Sequence, residues 1–176
     1  MQPISSKDYF LTMARYNRWM NERIYACSAE LSDEERKKDR GAFFKSIHGT
    51  LNHIILGDLI WIGRFKGEPF TGFSGLDDEL YADFDAMQKA RTRMDAEIQE
   101  FVDGLDDARI AGELHYTSVV DPAPRISPFW FALMHFFNHQ THHRGQVTAL
   151  ISQAGLDPGV TDLMWLPDVP YGLKQA

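Results

Sequence analysis

SPFWFALMHFFNHQTHHRGQVTALISQAG, residues 127–155, decides the fold. Ser127-Pro128 predicts a helix start, with Ser as N-cap and Pro in the first turn, where its missing N–H is no loss. Gly155 predicts the stop. A helix over 128–154 would be about 40 Å long at 1.5 Å per residue. Four of the chain's seven histidines stand in it: His135, His139, His142 and His143. His139 and His143 are one turn apart and share a face with Ala132, Phe136, Val147, Leu150 and Ala154. Those neighbours are apolar, so the face is turned to a core. Imidazoles there need partners, because unpaired buried polar groups cost free energy. A divalent metal ion is one such partner; carbonyls or water, with no metal, are another.

Working outward, Ser5-Ser6-Lys7-Asp8 reads as a capping box, followed by Phe10, Met13, Ala14, Tyr16, Trp19, Met20, Ile24 and Leu31 at helical spacing. This predicts a first helix over 7–30, with a break or fresh cap at 31–35. A second helix, expected over 41–67, carries Phe43, Phe44, Ile47, Leu51, Ile54, Ile55, Leu59, Ile60, Trp61, Ile62 and Phe65. They circle most of the helix, so it is read as buried. Residues 67–75 are rich in Gly and read as a loop. A third helix starts near Phe84, with Met87, Ala90, Met94, Ile98, Phe101 and Leu105 on one stripe. Lys89, Arg93, Glu97 and Glu100 lie opposite. Residues 106–126 read as an irregular crossover with a short hairpin, because 113–120 is β-friendly and Pro122 and Pro124 exclude helix. In the tail, Thr161-Asp162 would cap a short turn, and Leu163, Met164, Trp165 and Leu166 are expected to pack back onto the bundle. Four long helices joined by long connections predict an all-α four-helix bundle, a single domain over 1–176.

Composition narrows the function. Hydrophobic residues make up 44% and charged residues 24%, the balance of a globular domain rather than a disordered one. The net charge of −7 makes the chain a poor binder of phosphate backbones, so no nucleic acid partner is expected. The basic cluster at 35–40 is bracketed by acids and reads as a solvated helix end. Cys27 is the sole cysteine, which excludes a disulfide framework and a Cys-based metal cage. The first eight residues lack the apolar core of a signal peptide. The most apolar run, 128–137, is half the roughly 20 residues a membrane span needs. The expectation is a cytoplasmic protein with no membrane partner.

A stable open metal site takes a third ligand beyond His139 and His143. The second helix offers His48 and His53, roughly 140° apart around its axis. Both cannot face one site, and the all-round apolar pattern does not choose between them. His115 is read as a surface residue and His142 as lying at the bundle edge. His135 is read as packing or outer-sphere. Where a zinc protease helix has His-Glu-x-x-His, this chain has His139-Gln140-Thr141-His142-His143, and Gln140 takes no proton. Peptide hydrolysis by that route is disfavoured. The motifs of serine hydrolases, P-loop enzymes, dinucleotide binders and di-iron bundles are also missing. Arg144 is read as an ion-pair partner for an acid such as Asp58, and Gly145 as permitting close approach.

Residues 138–146, Asn-His-Gln-Thr-His-His-Arg-Gly-Gln, resemble the signature of the DinB-like proteins, the DinB/YfiT-like metalloenzymes. So do Ser46-Ile47-His48-Gly49-Thr50-Leu51-Asn52-His53 with Asp58, Trp61 and Arg64, and Tyr16-Asn17-Arg18-Trp19-Met20-Asn21. The likeness spans roughly 8–165. It implies an up-down-down-up bundle, often dimeric, with a divalent metal on three histidines. Matched residue by residue, these fall on His53, His139 and His143, which favours His53 over His48. An all-imidazole set suits Zn²⁺, Ni²⁺ or Fe²⁺. The family name refers to DNA-damage induction and does not establish DNA binding. Relatives include thiol-dependent transferases, so a metal-dependent transferase or hydrolase acting on a small thiol or other small molecule is one expectation. A non-catalytic, metal-stabilised bundle that binds a partner or serves a stress response is the other. A surplus of large apolar residues, such as Trp130 and Phe131, that the helix over 128–154 cannot all bury inward gives internal support for a homodimer. Such a site is expected to lose metal as pH falls through the histidine range.

Overall fold

The computed structural model describes residues 5–118 and 122–167. The N-terminal four residues, Val119-Val120 of the β-friendly stretch and the tail beyond 167 lie outside the described residues. In chain order come α1 (Ser6–Ala29), α2 (Asp33–Lys37), α3 (Ile47–Lys66), α4 (Phe84–Asp103), α5 (Asp107–Ile110), β1 (Glu113–Thr117), β2 (Pro124–Pro128), α6 (Phe129–Gln153) and a 3-10 turn (Leu163–Trp165). No helix among the described residues is long and apolar enough to cross a membrane.

Local chemistry sets the boundaries. The capping box forms: the Asp8 amide donates to Ser5 Oγ at 3.2 Å, and the Ser5 amide to Asp8 Oδ2 at 2.9 Å. Ser32 caps α2, so residues 31–35 are a fresh start. α3 begins six residues later than the periodicity predicts. Lys45 has φ 65°, a left-handed conformation that a right-handed helix cannot contain, and Ser46 then caps by accepting from the Gly49 amide at 3.0 Å. Residues 41–46 are instead a tight turn closed by Lys45 N–H to Ala42 C=O, 2.8 Å.

The start of α6 is also built differently. Ser127 lies in β2, opposite Leu114 of β1, and makes no cap bond. The Phe129 amide at the helix start donates to Gly112 C=O at 2.9 Å, so the hairpin supplies what a capping side chain would have supplied. Gly155, φ 89°, stops α6 as expected.

Two core clusters fix the topology. One joins Phe10 of α1, Ile62 and Phe65 of α3, Ile98 and Val102 of α4, and Phe129 and Leu133 of α6. The other joins Ile24 of α1, Ile47 and Leu51 of α3, Phe84 and Met87 of α4, and Leu150 and Ile151 of α6. At the first end stand the beginnings of α1 and α6 and the ends of α3 and α4; at the other the reverse. The bundle is therefore up-down-down-up, with α1 flanked by α4 and α6, and α3 by the same two.

Parallel neighbours α3 and α4 need a connection that runs the bundle's length. Residues 67–83 make it, retracing α3 backwards through Glu68 N–H to Gly63 C=O, His53 to Leu76 and Asn52 to Tyr81. The long connection between α4 and α6 turns at one end, as α5 and the expected hairpin. The tail packs through Leu166 and through Tyr16 O–H donated to Thr161 C=O at 2.6 Å. Leu163, Met164 and Trp165 stay exposed, at 40%, 85% and 64%, contrary to the expected packing of all four residues. A single 3-10 turn gives Leu166 a buried position and leaves the other three on its outer side.

Candidate metal centre

His53 projects from the middle of α3 and His139 and His143 from the middle of α6, and the three rings meet between these antiparallel neighbours. His53 Nε2 stands 3.3 Å from His139 Nε2 and 3.2 Å from His143 Nε2. One ligand atom from each of the three lies within 4.8 Å of the others. The donors' proton assignments follow from their outer partners. His53 Nδ1 donates to Leu76 C=O at 2.8 Å, and His143 Nδ1 donates to Gln146 Oε1 at 2.7 Å. His53 and His143 then carry their protons on Nδ1 and present bare lone pairs at Nε2. Two lone pairs at 3.2 Å cannot satisfy one another. At metal–nitrogen distances of about 2.0–2.1 Å, two tetrahedral ligands are separated by about 3.3–3.4 Å, close to the spacing here.

The rings are neutral. Burial, then the neighbouring histidines, lowers His139 from 6.5 to about 3. Burial lowers His143 to about 4 against the opposing Gln146 bond, and lowers His53 against the Leu76 carbonyl. The window for proton competition thus lies below the ordinary histidine range expected from sequence.

Three further residues shape the site. Phe44, expected inside a helix, lies in the 41–46 turn and stacks on His53 with centroids 3.8 Å apart. Gly57 leaves room for His139: a Cβ there would lie 2.9 Å from His139 Cε1. Gly145, by contrast, has open space where its Cβ would be, so the close approach expected there is at Gly57 instead. Gln146 was visible as a polar residue at i+3 from His143; Gly57 and Phe44 had no signal beyond their residue type.

The remaining histidines separate. His48 is buried away from the cluster, its Nε2 donating to Tyr81 C=O at 2.8 Å beside Glu79 Oε1 at 3.0 Å. It fastens the 67–83 connection, as Asn52 does. His142 and His115 are exposed, as expected. His135 is exposed and packs on Trp61, centroids 4.9 Å apart. With His53, His139, Arg64 and Tyr116 it lines a cavity of about 230 Å³ that opens beside the triad.

Below the triad lies a second polar cluster. Asp58 takes Arg91 Nη1 at 2.5 Å and Gln140 Nε2 at 2.7 Å. Arg91 also reaches Asp95 at 2.8 Å, and Asn17 and Asn21 donate to the same Asp95 oxygen. Arg144 donates to Asn17 Oδ1 and, at 3.2 Å, to Thr141 Oγ1. The direct Arg144–Asp58 pair expected from sequence is not formed, because Arg91 reaches Asp58 first from the facing helix. Cys27 is half-buried, and its thiol is pushed up by burial, so it is no activated nucleophile.

An antiparallel helix pair carrying three converging neutral imidazoles defines a helical-bundle protein that can hold a divalent metal ion. The sequence profile of the DinB family matches residues 4–172, and the chain belongs to that family. It is 28% identical over 160 residues to the protein named DinB of Bacillus subtilis, strain 168, covering 88% of this chain and 91% of that one. Its fold is shared with the crystal structure of a DinB-like protein from Bacillus cereus, TM-score 0.60 at 24% identity, over 81% of this chain and 91% of that one.

Proposed function

We propose that this DinB-family chain binds one divalent metal ion through His53, His139 and His143 and uses it on a small-molecule substrate, as a metal-dependent transferase or hydrolase. The observation that carries this is the pair of Nδ1–H bonds, to Leu76 C=O and Gln146 Oε1, which leave the bare Nε2 lone pairs of His53 and His143 facing each other at 3.2 Å, with His139 Nε2 3.3 Å from His53. All-nitrogen ligation suits Zn²⁺, Ni²⁺ or Fe²⁺. A bound ion would supply Lewis-acid polarisation of the substrate atom on its open side.

The chain's own residues do the rest. Phe44 shields one face of His53 from water. Gln140 is turned onto Asp58 in the core and takes no part in proton transfer. His135, on the cavity wall, holds a proton-accepting nitrogen within the same space as the triad. A thiol substrate fits a metal site of this kind, since coordination favours the thiolate. A homodimer belongs to the same proposal, supported by the exposed Ile126 of β2 and Trp130, Phe131 and Met134 at the start of α6.

Elemental mass spectrometry of untagged protein, beside the His139→Ala plus His143→Ala double variant, tests the binding. Near one equivalent in the parent and none in the variant is expected. No metal in either after incubation with Zn²⁺, Ni²⁺ or Fe²⁺ contradicts the proposal. The alternative, a metal-stabilised bundle without catalysis, is favoured if chelation lowers the melting temperature while no thiol or ester is turned over.

A further inference from the structure

Arg64 is a cation in an acidic chain with no acid beside it among the described residues. Among the described residues no carboxylate lies within salt-bridge distance of its guanidinium, although the sequence holds 25 Asp and Glu. The group is held in place by other means. It lies 4.6 Å over the Trp61 ring and 4.8 Å over the Tyr116 ring, and its Nη2 donates to Thr117 C=O at 3.3 Å. Two aromatic faces and one carbonyl fix the plane of the fork without neutralising it. Partial burial lowers its pKa, because loss of water disfavours the charged form.

It lines the same cavity as the triad residues His53 and His139. Gly57, the α3 residue that touches His139, precedes Arg64 by seven positions, about 10 Å along the axis. Side chains on a helix lean toward its N-terminus, which brings the guanidinium back toward the histidines. One metabolite-sized molecule can therefore reach both.

Resting on the small-molecule reading of the site given above, we infer that Arg64 is the substrate-recognition residue. It binds an oxyanion of the substrate, a carboxylate or a phosphate, while another atom of the same molecule faces His53, His139 and His143. The planar fork suits both anions through paired N–H···O bonds. A site built on an unpaired cation also selects against neutral analogues of equal shape.

The test titrates benzoate, phenyl phosphate and neutral benzamide into the protein as purified and after chelator treatment, following Trp61 fluorescence or the Arg64 Nε–H signal by NMR. At least one of the two anions binds at least tenfold tighter than benzamide in both forms. Whichever anion binds better names the substrate's group. In Arg64→Gln, with the parent's melting temperature, that preference falls to within twofold. Equal binding of anions and amide, or an unchanged preference in Arg64→Gln, overturns the assignment. Zinc content of the same samples separates the two claims. Anion preference absent while zinc is bound removes the Arg64 subsite alone. Anion preference present in protein that takes up no zinc sustains the subsite and contradicts the metal reading.

Discussion

Two consecutive residues of α6 face opposite kinds of polar core. His139 looks toward α3 at Gly57 and joins His53 and His143, three neutral rings of which two, His53 and His143, aim bare Nε2 lone pairs at one another. Gln140 looks into Asp58 and joins two carboxylates, two guanidiniums and two asparagines that answer one another. Asp58 and Arg91 are 0% and 2% exposed, yet each has a charged partner. The first cluster sets lone pairs against each other and leaves room for a cation; the second already pairs Arg91 with Asp58 and Asp95, although Gln140 Oε1 and Arg144 Nε stay buried without a hydrogen-bond partner. A helical bundle can therefore bury a structural network and a receptive site one residue apart, separated by which groups carry the protons and charges.

The largest predicted effect falls on the self-sufficient cluster. Asp58→Ala leaves Arg91 buried beside Asp95 alone, and removing one partner of a buried pair costs about 3–5 kcal/mol. Chemical denaturation should show a loss of that order in metal-free protein; a loss below 1 kcal/mol would mean the network is not what ties α3, α4 and α6 together. Next comes the receptive cluster. Zinc at 100 to 1,000 times its Kd should add about 3–4 kcal/mol to the parent, and nothing to the His139→Ala plus His143→Ala variant, read as the shift in melting temperature. If both proteins shift equally, the ion binds elsewhere.

Gln146→Ala frees the His143 ring to turn or change tautomer and should weaken zinc binding about 10- to 100-fold in a chelator competition. The melting temperature of the metal-free protein should barely move. Gly57→Ala sharpens the contrast further. Its new methyl presses on His139, so zinc affinity should fall about tenfold, or about 1.4 kcal/mol, while helix propensity adds up to about 1 kcal/mol to the metal-free fold. Unchanged zinc affinity in Gly57→Ala would place the ring elsewhere.

The smallest effect is on pH. His139 and His143 have folded-state values of about 3 and about 4, below the ordinary 6.5. Their contribution to folding is thus fully present above pH 6.5 and is lost as pH falls through about 4 for His143 and about 3 for His139. Protons compete with zinc at His139 and His143 only near those values, and at His53 below its ordinary 6.5, so zinc affinity should fall mainly below pH 6.5 rather than through it. A steep fall centred on pH 6.5 would mean the rings are not desolvated as described.

The fold was legible because long apolar stripes and their breakers are local signals. α1, α4 and α6 run within a residue or two of their periodicity, and the hairpin sits where the prolines exclude helix. α3 was overextended, since Phe43 and Phe44 keep the apolar pattern while Lys45 takes a left-handed backbone that no pattern reveals. The paired His139 and His143 declared themselves by spacing. His53 was separated from His48 only through the family likeness, because helix phase on an all-apolar helix carries no information. The structure supplies the missing fact: both histidines fasten the 67–83 connection, but only His53 turns its other nitrogen toward α6. The Asp58–Arg91–Asp95 network was missed because the outer face of α4 was read from Lys89, Arg93, Glu97 and Glu100 and no face was assigned to Arg91 or Asp95. Arg91 and Asp95, four apart on the stripe of Met87, Met94 and Ile98, were the available sign.

X-ray absorption at the zinc edge of the loaded protein tests the central claim most directly. Three imidazole nitrogens near 2.0–2.1 Å, falling to two in His53→Ala, is the predicted result. Two or fewer imidazoles in the parent, or a spectrum unchanged in His53→Ala, would contradict it.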